Sequence, residues 1–76
     1  MPRLTPQPWR TLQKVFELDG FTVDRVSGDH VVMTKDGVLR PVIIPKYPEV
    51  GLDIIRNNMR TAGMKRKKYF ALLGSV

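Results

Sequence analysis

The chain has 76 residues and no cysteine, which excludes a disulfide-stabilised scaffold and a thiolate metal site. Thirteen lysines and arginines outnumber seven acids, and 42% of the residues are hydrophobic. From this length we expect one domain over residues 1–76. No apolar run approaches transmembrane length and the N-terminus does not resemble a signal peptide, so we expect the protein in the cytoplasm.

The first predicted element is a helix over residues 6–19, which follows an N-terminal tail of residues 1–5. Thr5 fits the N-cap position, Pro6 the first helical position and Gly20 the residue after the helix. Apolar side chains recur at helical spacing along one face: Trp9, Leu12, Val15 and Phe16. We therefore expect the tryptophan to pack against the core rather than to stack on nucleobases.

Three strands are predicted next, over residues 21–26, 30–35 and 38–44. Residues 27–29 supply a turn between the first two strands. Asp36-Gly37 is a strong signal for a two-residue hairpin between the second and the third. Pro41 donates no hydrogen bond to a neighbouring strand, which places the third strand at an edge and the second in the middle.

A two-residue turn would pair Lys35 with Val38 and His30 with Ile43. One face of the sheet then carries Val31, Met33, Val42 and Ile44, and the other carries His30, Val32, Thr34, Leu39 and Ile43. We expect the helices to cover the first face and the histidine face to stay open. The apolar residues on that open face are typical of a surface that binds a partner.

A loop over residues 45–51 leads to a second predicted helix of about ten residues, which Asp53 caps or opens and which stops at Gly63. Met64 fits the apolar contact that often closes a helix end. The last predicted helix covers residues 65–73. Four bases in its first turn oppose the helix dipole, so we expect that turn to be frayed or to meet an anion.

The predicted order is α-β-β-β-α with a short C-terminal helix. This order indicates an α+β domain of two layers, in which two helices cover one face of a three-stranded antiparallel sheet. The double-stranded-RNA-binding fold has the same element order, and it recognises RNA through shape and backbone contacts. A fold by itself assigns no function.

The positive charge is concentrated in the last third of the chain. Residues 50–76 carry six bases and one acid, including the basic run at residues 65–68, whereas residues 21–49 are balanced. This distribution favours a polyanionic partner such as nucleic acid or an acidic protein. A solvated surface without a partner would have the same composition.

His30 is the only histidine, and histidine is the side chain that gains and loses a proton near neutral pH. The sequence has no glycine-rich phosphate loop and no paired-histidine metal spacing. Ser27 and Asp29 are neighbours of the histidine, but neighbouring positions do not make a catalytic triad. A histidine beside cations suffices for RNA cleavage without a metal, because the ribose 2′-hydroxyl is the nucleophile. His30 would be its general acid and base, or else a structural residue of the strand.

Eight cations are candidates for holding the RNA backbone. Four lie on or beside the predicted sheet: Arg25, Lys35, Arg40 and Lys46. Four form the C-terminal basic run: Lys65, Arg66, Lys67 and Lys68.

Several short motifs follow one another along the chain after residue 8: Gly20-Phe21, Gly28-Asp29-His30-Val31, Asp36-Gly37, Val42-Ile43-Ile44-Pro45 and the helical segment 55–64. In this order and spacing they resemble the HicA family of toxins. The resemblance implies a fold like that of double-stranded-RNA-binding domains and a ribosome-independent mRNA interferase activity. It also implies a catalytic histidine at His30, no cofactor or metal, and a HicB-type antitoxin as partner. The family usually has a small residue where this chain has Asp29.

Three functions remain open on the sequence alone. The first is an endoribonuclease toxin with His30 as its catalytic residue. The second is a non-catalytic module on the same fold that binds RNA or an antitoxin. The third is a small basic structural protein whose C-terminal run binds polyanions.

Overall fold

Three helices and one three-stranded antiparallel sheet follow one another in the order α-β-β-β-α-α. The computed structural model describes residues 3–76, so residues 1 and 2 of the predicted N-terminal tail lie outside it. The elements are α1 (Trp9–Leu18), β1 (Thr22–Ser27), β2 (His30–Thr34), β3 (Val42–Pro45), α2 (Leu52–Ala62) and α3 (Arg66–Leu73). The strand order is β1-β2-β3, so the histidine strand is central. The predicted α+β architecture is confirmed.

Helix α1 begins at Trp9 and not at residue 6, and its two preceding prolines explain the difference. A residue that precedes proline avoids helical backbone angles, and both Thr5 and Gln7 precede one. Pro8 takes the N-cap position with φ −59° and ψ 145°, and no side chain caps the helix. The predictions that Thr5 caps the helix and that Pro6 opens it are therefore wrong.

The segment before α1 pairs with the loop that follows the sheet. Gln7 and Val50 exchange two backbone hydrogen bonds, of 3.3 and 2.7 Å, and the Trp9 N–H donates to the Tyr47 carbonyl at 3.2 Å. The tryptophan ring is half-buried and packs against the core, as predicted. These contacts fix the loop after β3, which borders the open face of the sheet.

The tight turn of the sheet joins β1 to β2. Ser27 pairs with His30 across Gly28 and Asp29. Gly28 has φ +59°, whereas Asp29 keeps a negative φ, which is the pattern of a type II′ turn. The turn therefore places Asp29 next to His30, at the end of the central strand.

Strand β1 contains a β-bulge at Asp24. Val23 lies opposite Met33, but the next paired residue, Arg25, lies opposite Val32. The extra residue turns Arg25 to the face of the sheet that carries the histidine, two strand positions from it along β2. Without the bulge the arginine would point to the same side as Val23.

The connection between β2 and β3 is longer than predicted. The turn at Asp36-Gly37 is present, since the Val38 N–H donates to the Lys35 carbonyl at 3.1 Å and Gly37 has φ +86°. The chain does not return as a strand until Val42, after Pro41. The predicted start of the third strand at residue 38 is therefore wrong, as is the placement of the proline inside it.

The pairing of β2 with β3 differs from the prediction by two positions, since His30 lies opposite Pro45 rather than Ile43. Side chains alternate with a period of two, so this shift leaves the strand residues on their predicted faces. The helix-facing residues are buried: Val31, Met33, Val42 and Ile44. Leu39 loses its predicted place, because it lies in the loop and is fully exposed. Val32 keeps its predicted face but is only 5% exposed, so the prediction that this face stays open is wrong at Val32.

The three helices supply the other half of the core. Leu12, Val15 and Phe16 of α1 are buried together with Ile55 and Met59 of α2 and Tyr69 of α3. Helix α2 ends as predicted at Gly63, which has a left-handed φ of 65°. The following Met64 is buried, and its N–H donates to the Met59 carbonyl at 2.8 Å.

Asp19, at the end of α1, is the only buried acid in residues 3–76. Its side chain is 2% exposed, and its Oδ1 lies 2.5 Å from Lys68 Nζ and 3.6 Å from Lys35 Nζ. A carboxylate removed from water needs compensating positive charge, which the two lysines provide. The anion that the first turn of α3 was predicted to meet is therefore Asp19 of the same chain.

The ion pairs of Asp19 give a first stability prediction. Asp19→Asn should lower the free energy of unfolding by about 1–3 kcal/mol, because the neutral amide cannot form ion pairs with the two lysines. Lys68→Ala should also destabilise the fold. The matched control Lys67→Ala, an exposed neighbour, should change stability by less than about 0.5 kcal/mol. Urea unfolding followed by circular dichroism measures all three, and equal effects of the two lysine variants would contradict the assignment.

The Tyr69 hydroxyl gives a second prediction. Burial raises the pKa of this phenol above its ordinary value of 10.0, and in residues 3–76 its oxygen has no hydrogen-bond partner. The folded state therefore holds the proton more tightly, so stability is full below pH 10 and falls as the pH rises through the folded-state pKa. Tyr69→Phe should keep or raise stability at pH 8, by up to about 1 kcal/mol, and weaken the alkaline loss.

Urea midpoints between pH 8 and 11.5 measure the tyrosine effect. Tyr47→Phe is the control, because that ring is 46% exposed. A Tyr69→Phe variant that unfolds at the same alkaline pH as the native chain would show that the buried phenol does not drive the loss.

Candidate functional site

His30 stands at the first position of β2, on the open face of the sheet. Its side chain is 45% exposed, and its Nδ1 lies 3.0 Å from Asp29 Oδ1. We assign the Nδ1 proton to this contact, so that the ring donates to the carboxylate. The other nitrogen, Nε2, then keeps its lone pair and can accept a proton from a bound molecule.

A groove of about 390 Å³, here called the histidine groove, lies beside His30 between β3 and α2. Its apolar walls are Pro41, Ile43, Pro45 and Ile54. Its polar side chains include Tyr47, Asp53, Asn57 and Thr61. Among the residues that the structure describes, no lysine or arginine lines it.

Asn58 holds α2 beside the outer edge of β3. The Lys46 N–H donates to the Asp29 carbonyl at 2.7 Å, so every second residue of β3, counted back from Lys46, hydrogen-bonds to β2. Ile43 is not one of these residues, and its carbonyl therefore points away from β2. Asn58 is 3% exposed, and its Nδ2 donates to that carbonyl at 3.2 Å. The same alternation leaves Pro45 at a position where no backbone N–H is required.

A second groove of about 630 Å³, here called the arginine groove, continues along α2. Asn57 and Thr61 line both grooves, so the two are neighbours along α2. Arg40 enters from the loop after β2 and Arg60 from the last turn of α2, and both are exposed. Within residues 3–76 the side chain of neither arginine forms an ion pair or a hydrogen bond.

Two of the eight predicted RNA-contacting cations lie on the side of His30. Arg25 shares its face through the bulge, and its Nη1 lies 2.8 Å from Asp24 Oδ2 in a pair that is 66% and 47% exposed. Arg40 lies in the arginine groove.

The other six predicted cations lie elsewhere. Lys35 and Lys68 hold Asp19, and the Lys46 ammonium lies 5.3 Å from the centre of the Trp9 ring. The Arg66 guanidinium lies 5.5 Å from the Phe70 ring. Lys65 and Lys67 are exposed at the start of α3. The structure does not bring the basic run to the histidine groove.

Residues of α2 that the sequence reading did not select complete both grooves. Asp53, Asn57 and Thr61 recur every four residues, which places them on one stripe of the helix. This polar stripe is a signal that the sequence carries. Arg60 has no such signal, because an exposed arginine near a helix C-terminus is equally typical of a solvated face.

Neither a metal cluster nor a membrane span occurs in the described chain. Within residues 3–76, no three histidine or carboxylate side chains come together as a metal site requires. No helix of that range is long and apolar enough to cross a bilayer.

Comparison with known proteins gives one family. A family model of the HicA toxin of bacterial toxin–antitoxin systems matches residues 9–64. No curated protein matches the chain. The matched range begins with α1, contains His30 and every residue named above in either groove, and ends at Met64. The basic run at residues 65–68 follows it.

The two adjacent asparagines of α2 give a matched pair of variants. Asn58→Ala should lower the free energy of unfolding by about 1–3 kcal/mol, because it leaves the Ile43 carbonyl without its donor in a buried place. Asn57→Ala should leave stability within about 0.5 kcal/mol, since that side chain is exposed. Thermal and urea unfolding measure both, and equal losses would show that the hydrogen bond is not what holds α2 in place.

Proposed function

The chain belongs to the HicA family of toxins of bacterial toxin–antitoxin systems, and we propose that it acts as an endoribonuclease that cleaves messenger RNA in the cytoplasm. His30 is its acid–base residue and acts as the general base in the cleavage step. The observation that carries the proposal is the contact of His30 Nδ1 with Asp29, which leaves Nε2 accessible beside a groove. Family membership implies a cognate antitoxin, and we infer that it is of the HicB type.

RNA supplies its own nucleophile in the proposed reaction. His30 Nε2 takes the proton of the ribose 2′-hydroxyl, and the 2′ oxygen forms a bond to the adjacent phosphorus. The bond from phosphorus to the 5′ oxygen breaks, and that oxygen leaves with a proton from solvent. The products are a 2′,3′-cyclic phosphate and a free 5′-hydroxyl, and no cofactor or metal ion enters the balance.

Asp29 is a positioning residue in this mechanism. Its carboxylate accepts the Nδ1 proton and so fixes the tautomer in which Nε2 is the free base. It also stabilises the imidazolium that forms once Nε2 is protonated. The residue that departs from the family pattern thus supports the histidine instead of opposing it.

Arg25 is the cation best placed to neutralise the scissile phosphate. The bulge at Asp24 turns it to the histidine face, one strand away. Its pair with Asp24 is exposed, and such pairs contribute only about 0–1 kcal/mol, so the guanidinium can exchange the carboxylate for a phosphate at little cost. A phosphate contact of this kind stabilises the charge that grows in the transition state.

A non-catalytic binding module is the second candidate. It is favoured by one observation, the lack of a lysine or arginine among the residues that line the histidine groove. Such a module would bind RNA or the antitoxin through the same surface without changing the RNA. The two candidates differ in the effect of removing the imidazole.

His30→Ala should lower the rate of RNA cleavage by about 10²–10⁴-fold, the usual contribution of a general acid–base group, and abolish growth inhibition on expression. Its stability should change little, since the side chain is 45% exposed. Purified protein with a labelled transcript measures cleavage, and excess chelator should leave the rate unchanged.

Thr34→Ala is the matched control, because Thr34 is exposed on the same strand and face. It should keep full activity. Equal cleavage by the His30→Ala variant and the native chain would remove the catalytic role of His30, and no cleavage by the native chain would leave the binding module.

A further inference from the structure

We propose that the histidine groove and the arginine groove form one track for single-stranded RNA. A nucleobase next to the scissile phosphate occupies the histidine groove, and Arg40 and Arg60 hold backbone phosphate further along α2. The choice of RNA as the occupant rests on the proposed function. The path along α2, and the assignment of the base to one groove and of phosphate to the other, come from the residues that line the grooves.

The two grooves share two residues of α2, which places them next to each other along that helix. Asn57 and Thr61 line both, and with Asp53 they form a single stripe of α2. At 1.5 Å per residue this stripe extends over about 12 Å. A chain laid along the stripe would contact residues of both grooves in turn.

The histidine groove suits a base better than a phosphate. Ile43 and Ile54 offer apolar surface to the flat faces of a base. Asp53, its only carboxylate among the described residues, is fully exposed and lies 4.0 Å from Arg56 Nη1. No described lysine or arginine lines the groove itself, so a phosphate would find neither a guanidinium nor an ammonium group there. The Asn57 amide can donate to and accept from the edge of a base. Contacts to base edges, unlike contacts to phosphate, discriminate among sequences.

The arginine groove suits phosphate. The Arg40 and Arg60 side chains have no intramolecular partner within residues 3–76, so their planar forks are available for two oxygens at a time. Leu39, which is fully exposed beside Arg40, adds an apolar surface to the same groove. None of the described residues that line this groove is acidic.

The C-terminal basic run is a weaker candidate for the RNA backbone than its charge implies. Lys68 is held by Asp19, and Arg66 lies over the Phe70 ring. The run also lies beyond the range that matches the family, whereas Arg40 and Arg60 lie within it. The two arginines are therefore assigned the role that the sequence reading gave to the run.

The test measures binding of fluorescent 2′-O-methyl RNA, which cannot be cleaved because its nucleophile is blocked. Fluorescence anisotropy gives Kd for 12-nucleotide A, C and U homopolymers at several KCl concentrations. The full-length chain is compared with Arg40→Ala/Arg60→Ala, with Asn57→Ala, and with the control Lys65→Ala/Lys67→Ala. The control removes the same charge from exposed positions, so all variants should fold.

The double arginine variant should bind every homopolymer at least about tenfold more weakly. Its slope of log K against log salt should fall by about 1.4, since each phosphate contact on single strands contributes about 0.7. The control should lose less than half of that. Asn57→Ala should change the ranking of the three homopolymers while keeping the slope.

Three results would overturn the inference. One is binding by the double arginine variant as tight as that of the native chain, and another is a larger loss in the lysine control. The third is an arginine variant that binds RNA as tightly as the native chain does but no longer binds the antitoxin. That result would assign the two grooves to the protein partner. Binding along α2 without cleavage of ordinary RNA would remove the proposed function alone. Cleavage with unchanged binding by the arginine variant would remove this inference alone.

Discussion

The buried carboxylate of Asp19 determines how the helices sit on the sheet. It draws one lysine from the end of β2 and another from α3, so three distant parts of the chain meet at one charge. A Cβ at Gly20 would lie 3.3 Å from the Lys35 side chain, so the glycine leaves room for that lysine to reach the carboxylate. Because an unpaired buried carboxylate is costly, α1 and α3 are held together on one side of the sheet.

Local pattern predicted most of the fold, and long-range contacts account for its errors. The loop around Pro41 is longer than predicted, and this shifts the pairing of β2 with β3 by two residues. The predicted faces of both strands are still correct, because side chains alternate between the faces with a period of two. The start of α1 differs from the prediction for a local reason, because Pro8 keeps the preceding Gln7 out of helical backbone angles. The partners of Asp19 had no sequence signal, because their separation along the chain carries no periodicity.

For the candidate site, too, local features of the sequence were predictable and contacts between distant segments were not. His30 was predictable as the only histidine, and the turn at Gly28 predicted its position at a strand end. The orientation of Arg25 was not, because a bulge depends on the register of two strands. Nor was the joining of Arg40 and Arg60 in one groove, since they come from a loop and a helix twenty residues apart. Charge density along the chain pointed instead to residues 65–68, two of which are engaged within the fold.

The two outer strands are both closed to pairing with another chain, by different means. Along β1, where all six residues are exposed, the bulge at Asp24 interrupts the regular row of backbone donors and acceptors. Along β3, Asn58 occupies the outward carbonyl of Ile43. A second copy of the chain therefore finds no continuous edge on which to add a strand. This small sheet is therefore protected from edge-to-edge aggregation even when newly made copies crowd together.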